Sequence, residues 1–194
     1  MAKLPTVYLF EIQLDYAKIP VWRILEVPRK TTLHDLHLCI QVAMGWECSH
    51  LYEFSFRGKR YELPEPMTRV SDEVEDPRVV RLMDMDLSLG ESLNYVYDFG
   101  DNWEHTVTLK GYSRPEYGYK NLPRCSAGAM ACPPEDIGGI FVYNQLVAFL
   151  LHKEPIEVNP DLEKIFKKFD PWNEDIRNDY FFAKAVSGLR RRYK

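Results

Sequence analysis

Hydrophobic and polar residues alternate along the first part of the chain with the period of two that is typical of β-strands. The alternation runs from Thr6 to Leu14 and again from Val21 to Val27, with a turn-rich segment between them, so it predicts an antiparallel hairpin. The apolar spacing then changes to three and four residues. This spacing predicts a helix that is capped by Thr31 or Thr32 and ends at Gly45.

Two further hairpins are predicted after this helix, since apolar alternation resumes on either side of turn residues. Their strands are Tyr52–Phe56 with Lys59–Leu63, and Ser92–Phe99 with His105–Tyr112. The acidic stretch Met67–Pro77 shows no periodicity and predicts an exposed loop. A hairpin, a helix over one sheet face and further strands give the ββαβ order of a β-grasp-like arrangement. The sequence therefore predicts an α+β fold with an antiparallel or mixed β-sheet.

The chain changes character near residue 113. The segment 113–139 is rich in Pro, Gly and Cys and is interpreted as a connector, whereas the segment 140–194 carries apolar stripes at helical spacing. Three helices are predicted there, around Val142–Leu150, from Asn159 to Asp170, and from Ile176 onwards. With 1–112 as a sheet-rich core, residues 1–194 are interpreted as a single domain of ordinary size.

Composition narrows the classes of function. A hydrophobic content of 45% suffices for a sizeable core, and 25 Lys and Arg against 29 Asp and Glu give a net charge of -4, unlike the cationic surface of a dedicated nucleic-acid binder. No apolar run approaches the roughly 20 residues that span a bilayer, so no membrane partner is expected. Four cysteines without an export signal indicate reduced thiols and a cytoplasmic protein.

The densest group of polar residues surrounds the last predicted hairpin turn. Its members are Asp98, Asp101, Glu104 and His105. Carboxylates and an imidazole at one turn are the groups used for acid–base catalysis or for binding a hard divalent metal ion. Asp, Gly and Asn are also the ordinary residues of tight turns, so a structural turn is the competing interpretation. Trp103 either anchors this loop or stands over a pocket.

A second group of candidates surrounds the end of the predicted helix. It contains His34, His37, Cys39, Cys48 and His50. His37 lies close to the apolar face of the helix, so the favoured interpretation is a partly buried histidine whose hydrogen bonds are satisfied. If the helix and the polar turn are neighbours in space, His37 or His50 joins His105 in one site.

The connector holds a third group of candidates. Six residues separate Cys125 from Cys132, which is not the spacing of zinc knuckles, so a structural zinc is not favoured. The run Pro133–Asp136 resembles the start of a helix, with prolines and acids in its first turn. The glycine pair at 138–139 permits a close backbone approach or a reversal, and the pattern of a phosphate-binding loop is missing. A structural role is the favoured interpretation of this segment.

Several motifs occur together along the chain. They are Trp22-Arg23, Val27-Pro28, Thr32–His37, Gly45-Trp46, Ser49–Leu51, Tyr97–His105, Pro123–Cys125 and Ala131–Gly139. Their order and spacing resemble the family named after open reading frame three of the Ri plasmid, over nearly the whole chain. The resemblance implies a family without an established activity, some members of which are labelled resolvases in mobile elements. The nucleophilic Ser among arginines of serine resolvases, and the Tyr with Arg-His-Arg of tyrosine recombinases, are not found in this sequence.

The favoured function is a non-catalytic binding or adaptor module for an unknown protein or small-molecule partner. Such a module requires no nucleophile, cofactor loop or set of four metal ligands. Of the functions considered, it therefore requires the fewest specific residues. The candidates for ligand binding are Tyr97, Trp103, Glu104 and His50.

Two alternatives remain. One is a metal-assisted or acid–base hydrolase with a divalent metal ion, in which Asp98 and Asp101 are ligands or bases and His105 carries protons, with a contribution from His37 or His50. The other is a nucleic-acid-associated factor of mobile elements. It would use the basic C-terminus and three lysines, Lys164, Lys167 and Lys168, and the net negative charge counts against it.

Overall fold

The computed structural model describes residues 7–64, 74–113, 122–152, 169–170 and 179–192. Its strands are β1 (Val7–Leu14), β2 (Trp22–Pro28), β3 (Tyr52–Phe56), β4 (Lys59–Glu62), β5 (Val74–Glu75), β6 (Ser92–Tyr97), β7 (Trp103–Ser113) and β8 (Arg124–Ala129). Its α-helices are α1 (Leu33–Met44), α2 (Gly139–His152) and α3 (Asp179–Arg192), and a 3-10 helix spans Leu82–Asp84.

The described strands form one sheet in the order β5-β4-β3-β6-β7-β1-β2-β8. Neighbouring strands are antiparallel, except that the short β5 runs parallel to β4. The predicted α+β fold with a mixed sheet is therefore confirmed. The order β1, β2, α1, β3 also follows the predicted ββαβ pattern, although β6 and β7 lie between β1 and β3 within the sheet.

Helix α1 is buried along most of its surface. It begins at Thr32, whose side chain accepts a hydrogen bond from the backbone N–H of Asp35 (3.1 Å), and it ends at Gly45 in the left-handed conformation (φ 81°). Helix α3 packs against α1, and Arg190 Nε donates to Asp35 Oδ1 across this contact (2.6 Å). Because α1 is covered by more than one neighbour, it carries apolar residues around most of its circumference.

The core lies on the face of the sheet that α1 covers. Its largest fully buried side chains are aromatic, namely Trp103, Tyr95, Tyr97, Tyr143, Phe10, Phe54 and Phe182. The alternate residues of β1 and β7, such as Gln13 and Thr106, lie on the other, more polar face. Within the described ranges, none of the helices combines the length and the apolar character that crossing a membrane requires.

Strand β8 lies inside the segment 113–139, which the composition indicated as a connector. It pairs with β2 at the edge of the sheet, from Trp22 opposite Ala129 to Glu26 opposite Arg124. Its small residues show little apolar alternation, so pairing with β2 rather than strand propensity defines it. The helix start expected at Pro133–Asp136 is wrong, because α2 begins only at Gly139.

The turn between β6 and β7 lies two residues earlier in the chain than the sequence pattern predicts. β6 ends at Tyr97 and β7 begins at Trp103, because Asp98 (φ 57°) and Asn102 (φ 53°) leave the extended conformation. The helix predicted from Asn159 to Asp170 lies outside the described residues, apart from 169 and 170. Residues 67–73 of the predicted loop also lie outside them.

Candidate functional site

Three loops meet at one end of the sheet, and we call their meeting point the three-loop junction. They are residues 45–51 after α1, residues 98–102 between β6 and β7, and residues 130–138 between β8 and α2. The first two are joined directly, since the backbone N–H of Asp98 donates to Leu51 O (2.9 Å). Residues that are far apart in the sequence are thereby placed side by side.

Tyr97 and Glu135 hold the first loop to the third. The Tyr97 hydroxyl accepts hydrogen bonds from the backbone N–H groups of Ser49 (3.0 Å) and His50 (3.3 Å), and it donates to Glu135 Oε1. Glu135 Oε2 in turn accepts from the backbone N–H of Glu47 (2.7 Å). Burial, followed by the Glu135 carboxylate, raises the pKa of Tyr97, so this hydroxyl remains protonated and keeps donating.

Glycine permits the contact between the second and third loops. Gly138 N–H donates to Asp101 Oδ2 (3.1 Å), and a Cβ on Gly139 would lie well inside van der Waals contact with Asp101 O. Gly139 also has φ 78°, a conformation that other residues rarely adopt. The close backbone approach predicted for the glycine pair is therefore confirmed at Gly139.

His50, Asp98 and Asp136, one from each loop, form a cluster at the centre of the junction. His50 Nε2 lies 2.9 Å from Asp136 Oδ1 and 3.6 Å from Asp98 Oδ2. One ligand atom from each of the three residues lies within 4.8 Å of the other two. The side chain of Asp98 is 10% exposed, that of His50 32% and that of Asp136 69%, so the cluster is fixed on its inner side and open to solvent on its outer side.

An imidazole nitrogen and two carboxylates are a donor set that suits divalent ions such as Zn²⁺ and Mn²⁺. Asp98 and Asp136 both hold positive φ angles, 57° and 59°, which cost energy for residues other than glycine. Asp98 Oδ1 accepts from Gly100 N–H (2.9 Å), which leaves Oδ2 directed towards His50. The arrangement can therefore hold a cation with three protein atoms and leave its outer positions open.

The structure disperses the other residues of the polar turn. Asp101 accepts the Gly138 hydrogen bond, and Glu104 Oε1 accepts from Asn102 Nδ2 (2.6 Å). Trp103 is completely buried and anchors the turn. Among the described residues, the cluster of His50, Asp98 and Asp136 is the single group of three or more potential metal ligands, and Asp101 is not part of it.

His37 and His105 are buried away from the cluster. Alternation along β7 turns His105 towards the core, where Nδ1 donates to Trp103 O (3.0 Å), and Nε2 has no partner in the described part of the chain. His37 contacts Tyr95 and Cys48 instead of the polar turn. The hydrolase hypothesis needs four side chains in one site, and the structure does not bring them together. They are Asp98, Asp101, His105 and His37.

Sequence reasoning missed Asp136 and Glu135, which it interpreted as acids in the first turn of a helix. The available signal was the set of motifs itself. The stretches Ser49–Leu51, Tyr97–His105 and Ala131–Gly139 contribute to all three loops of the junction. Motifs that lie far apart in the sequence but all match the pattern of one family are reasonable candidates for neighbours in space.

Burial of His105 predicts a dependence of stability on pH. Burial lowers the pKa of His105 from 6.5 to about 4, so between these values the unfolded chain binds a proton that the folded chain does not. The contribution of neutral His105 to the free energy of unfolding is therefore fully present above pH 6.5. It falls as the pH drops below 6.5, by about 1.4 kcal/mol per pH unit. We expect His105→Gln to show a shallower decline between pH 6.5 and 5 in urea unfolding. An equal decline in stability with pH in the native protein and in His105→Gln would contradict the attribution of this decline to His105.

The fold and the junction together define a class of protein, an α+β protein with a His-Asp-Asp cluster at one end of a mixed sheet. The chain belongs to the family of plasmid pRiA4b ORF-3-like proteins, whose family model matches residues 6–178. The predicted family is thereby confirmed, and neither the family nor the relatives described next indicate a catalytic function.

Two relatives share nearly the whole chain. The uncharacterized protein y4hQ of Sinorhizobium fredii is 36% identical over 196 residues, covering 96% of this chain and 98% of that protein. The crystal structure of a protein of unknown function from Methanosarcina mazei has a TM-score of 0.72 at 27% identity, and the match covers 90% of this chain and 97% of that one.

Proposed function

We propose that this protein is a non-catalytic binding module whose three-loop junction binds a divalent metal ion. One observation carries the proposal. Three residues that are 48 and 38 positions apart in the sequence, His50, Asp98 and Asp136, place their ligand atoms within 4.8 Å of one another. Hydrogen bonds among the loops fix this geometry before any ion arrives, which lowers the ordering cost of binding.

The donor set defines the kind of ion. Two carboxylates supply two negative charges and His50 supplies a nitrogen, so Zn²⁺ or Mn²⁺ fits better than Ca²⁺, which favours oxygen alone. Asp136 is largely exposed, so the outer side of a bound ion would face solvent. A donor atom of a small molecule or of a partner protein can complete the coordination there, which is the adaptor role expected for this chain.

The histidine positions favour binding over hydrolysis. Of the three histidines named in the hydrolase hypothesis, His50 contacts Asp98, whereas His37 and the predicted proton carrier His105 are buried and hydrogen-bonded elsewhere in the described structure. The nucleic-acid alternative has less support. Lys164, Lys167 and Lys168 lie outside the described residues, and Arg190 is paired with Asp35.

We also propose a cytoplasmic location. Cys39, Cys48 and Cys125 are buried and Cys132 is half-buried. Burial raises the pKa of Cys132 to about 11, so this thiol is protonated at neutral pH. Protonated and largely shielded thiols suit a reducing compartment.

Asp136→Asn tests the metal site against a matched control. Asp136 and Asp86 are both exposed aspartates with positive φ (59° and 50°), a conformation that asparagine tolerates well. After treatment with EDTA and its removal, we expect the native protein to bind Zn²⁺ or Mn²⁺ in titration calorimetry. Asp136→Asn should weaken binding at least about tenfold, since a ligand charge is lost, and Asp86→Asn should not.

Two results would contradict the proposal. One is the absence of heat and of thermal stabilisation with both ions in the native protein. The other is an equal loss of affinity in Asp136→Asn and Asp86→Asn, which would place any binding on general surface charge.

A further inference from the structure

Four polar side chains form a closed ring of hydrogen bonds in the core, and we call it the Cys48 ring. Cys48 Sγ lies 3.1 Å from His37 Nε2, and His37 Nδ1 lies 2.8 Å from the Tyr95 hydroxyl. Gln41 Nε2 donates to the same hydroxyl (3.1 Å), and Gln41 Oε1 accepts from the Cys48 backbone N–H (3.0 Å). Buried polar groups are costly unless they are satisfied, so this ring fixes both partners of the Cys48–His37 contact.

The imidazole of His37 is held in one orientation. The ring of Tyr52 stacks on it at 3.7 Å between centroids with an interplanar angle of 7°, and Tyr95 fixes its Nδ1 edge. When Nδ1 carries the hydrogen and donates it to the Tyr95 oxygen, Nε2 presents a lone pair to Cys48 Sγ. A thiol, an imidazole within hydrogen-bond distance and a third group that orients the imidazole form the arrangement of a nucleophile with its base.

Cys48 also borders a cavity. The cavity has a volume of about 260 Å³, and its lining includes Cys48, His37, Tyr52, Leu51, Leu63 and Arg78. Cys48 has φ 62°, an unfavourable conformation for a residue with a side chain, and such conformations concentrate at functional sites. The thiol thus lies between a fixed base and a space that a small molecule can enter.

We propose that Cys48 and His37 form a nucleophile–base pair that accepts an acyl group from a small, uncharged ester or thioester in this cavity. The proposal concerns a single acyl transfer to the protein without turnover, so it is compatible with a non-catalytic module, and it does not depend on metal binding. Sγ forms a bond to the carbonyl carbon while its proton passes to His37 Nε2. The bond to the leaving alkoxide or thiolate then breaks, and that group takes the proton back from Nε2, which leaves S-acylated Cys48 and a neutral alcohol or thiol.

The step depends on the fixed geometry of the pair, since Cys48 Sγ and His37 Nε2 already lie within hydrogen-bond distance (3.1 Å). A neutral thiol reacts only when a neighbour accepts its proton as the new bond forms, and Nε2 is placed to do so.

The test measures acylation of the full-length protein by 4-nitrophenyl acetate in EDTA, which removes any contribution of a bound metal. Peptide mass spectrometry reports the acetylation of each cysteine with time. We expect Cys48 to be acetylated at least about tenfold faster than Cys132, which is more exposed but has no imidazole partner among its described contacts. Cys48→Ser should remove the rapid phase of nitrophenolate release.

Two variants test whether His37 acts as a base towards Cys48 or only packs beside it. His37→Phe keeps a ring against Tyr52, and Tyr95→Phe removes only the hydroxyl that orients Nδ1. Both should slow acetylation of Cys48 at least about tenfold. Unchanged or faster acetylation in Tyr95→Phe would mean that the ring merely shields the thiol, and would overturn the proposal even if His37→Phe does not fold. Slow acetylation of Cys48 in the native protein would overturn it as well, without bearing on the metal titration.

Discussion

Trp103→Ala is expected to lower the free energy of unfolding by about 3–5 kcal/mol, the range for removing a large aromatic side chain from a core. Trp103 is fully buried, and its ring centroid lies 5.9 Å from that of Trp46. Trp46 itself holds the third loop, because its Nε1 donates to Pro133 O (2.9 Å). The variant therefore leaves a cavity directly beneath the three-loop junction. Unfolding in urea, followed by circular dichroism, measures the change.

Trp103→Phe is the matched control. It retains most of the apolar volume and removes the indole N–H, which has no hydrogen-bond partner in the described part of the chain. Because an unsatisfied buried donor is itself costly, we expect its removal to offset part of the lost packing, and a net loss below about 1.5 kcal/mol. If Trp103→Phe lowers the free energy of unfolding as much as Trp103→Ala does, the indole N–H contributes a favourable interaction and the packing argument fails.

Gly139→Ala is expected to separate the second and third loops. An added methyl group would overlap Asp101 O, a backbone atom that can move only together with the turn 98–102. We expect a loss of stability of about 1–3 kcal/mol from the overlap, in addition to the cost of positive φ. Affinity for Zn²⁺ or Mn²⁺ should fall at least about tenfold, because Asp98 and Asp136 no longer keep their spacing.

Gly90→Ala isolates the cost of the backbone conformation. Gly90 has φ 85°, close to the 78° of Gly139, but a Cβ there would meet no atom within 4 Å. The free energy of unfolding of this control should fall only by the roughly 1–2 kcal/mol that the left-handed conformation costs a residue with a Cβ. Its metal binding should be unchanged. Similar losses of stability and of affinity in both variants would rule out the overlap as the cause.

Much of the fold was predictable because its signals are local. The alternation of β1 and β2, the turn at Arg57-Gly58 and the end of α1 at Gly45 depend on residues within a few positions of one another. β8 was not predictable in this way. Its six residues become a strand through pairing with β2, about 100 positions earlier, and no local pattern reports such a partner.

The candidate site shows the same limit. Asp98 and His50 were among the predicted residues, since each belongs to a conspicuous polar stretch, but their partner Asp136 lies behind two prolines that resemble a helix start. The burial of His105 follows from alternation along β7, which begins at Trp103 rather than at His105. His105 is in phase with the buried Val107 and Leu109, so the alternation itself places this side chain on the core face.

The place of β1 in the middle of the sheet has a consequence for synthesis. β1 can pair with β2 soon after both strands have left the ribosome, but its other partner, β7, is translated only some 90 residues after β1. During that interval the nascent chain presents an unpaired strand edge, the kind of surface that invites aggregation. That edge is covered only when β7 pairs with β1, so the centre of the sheet is completed late in synthesis.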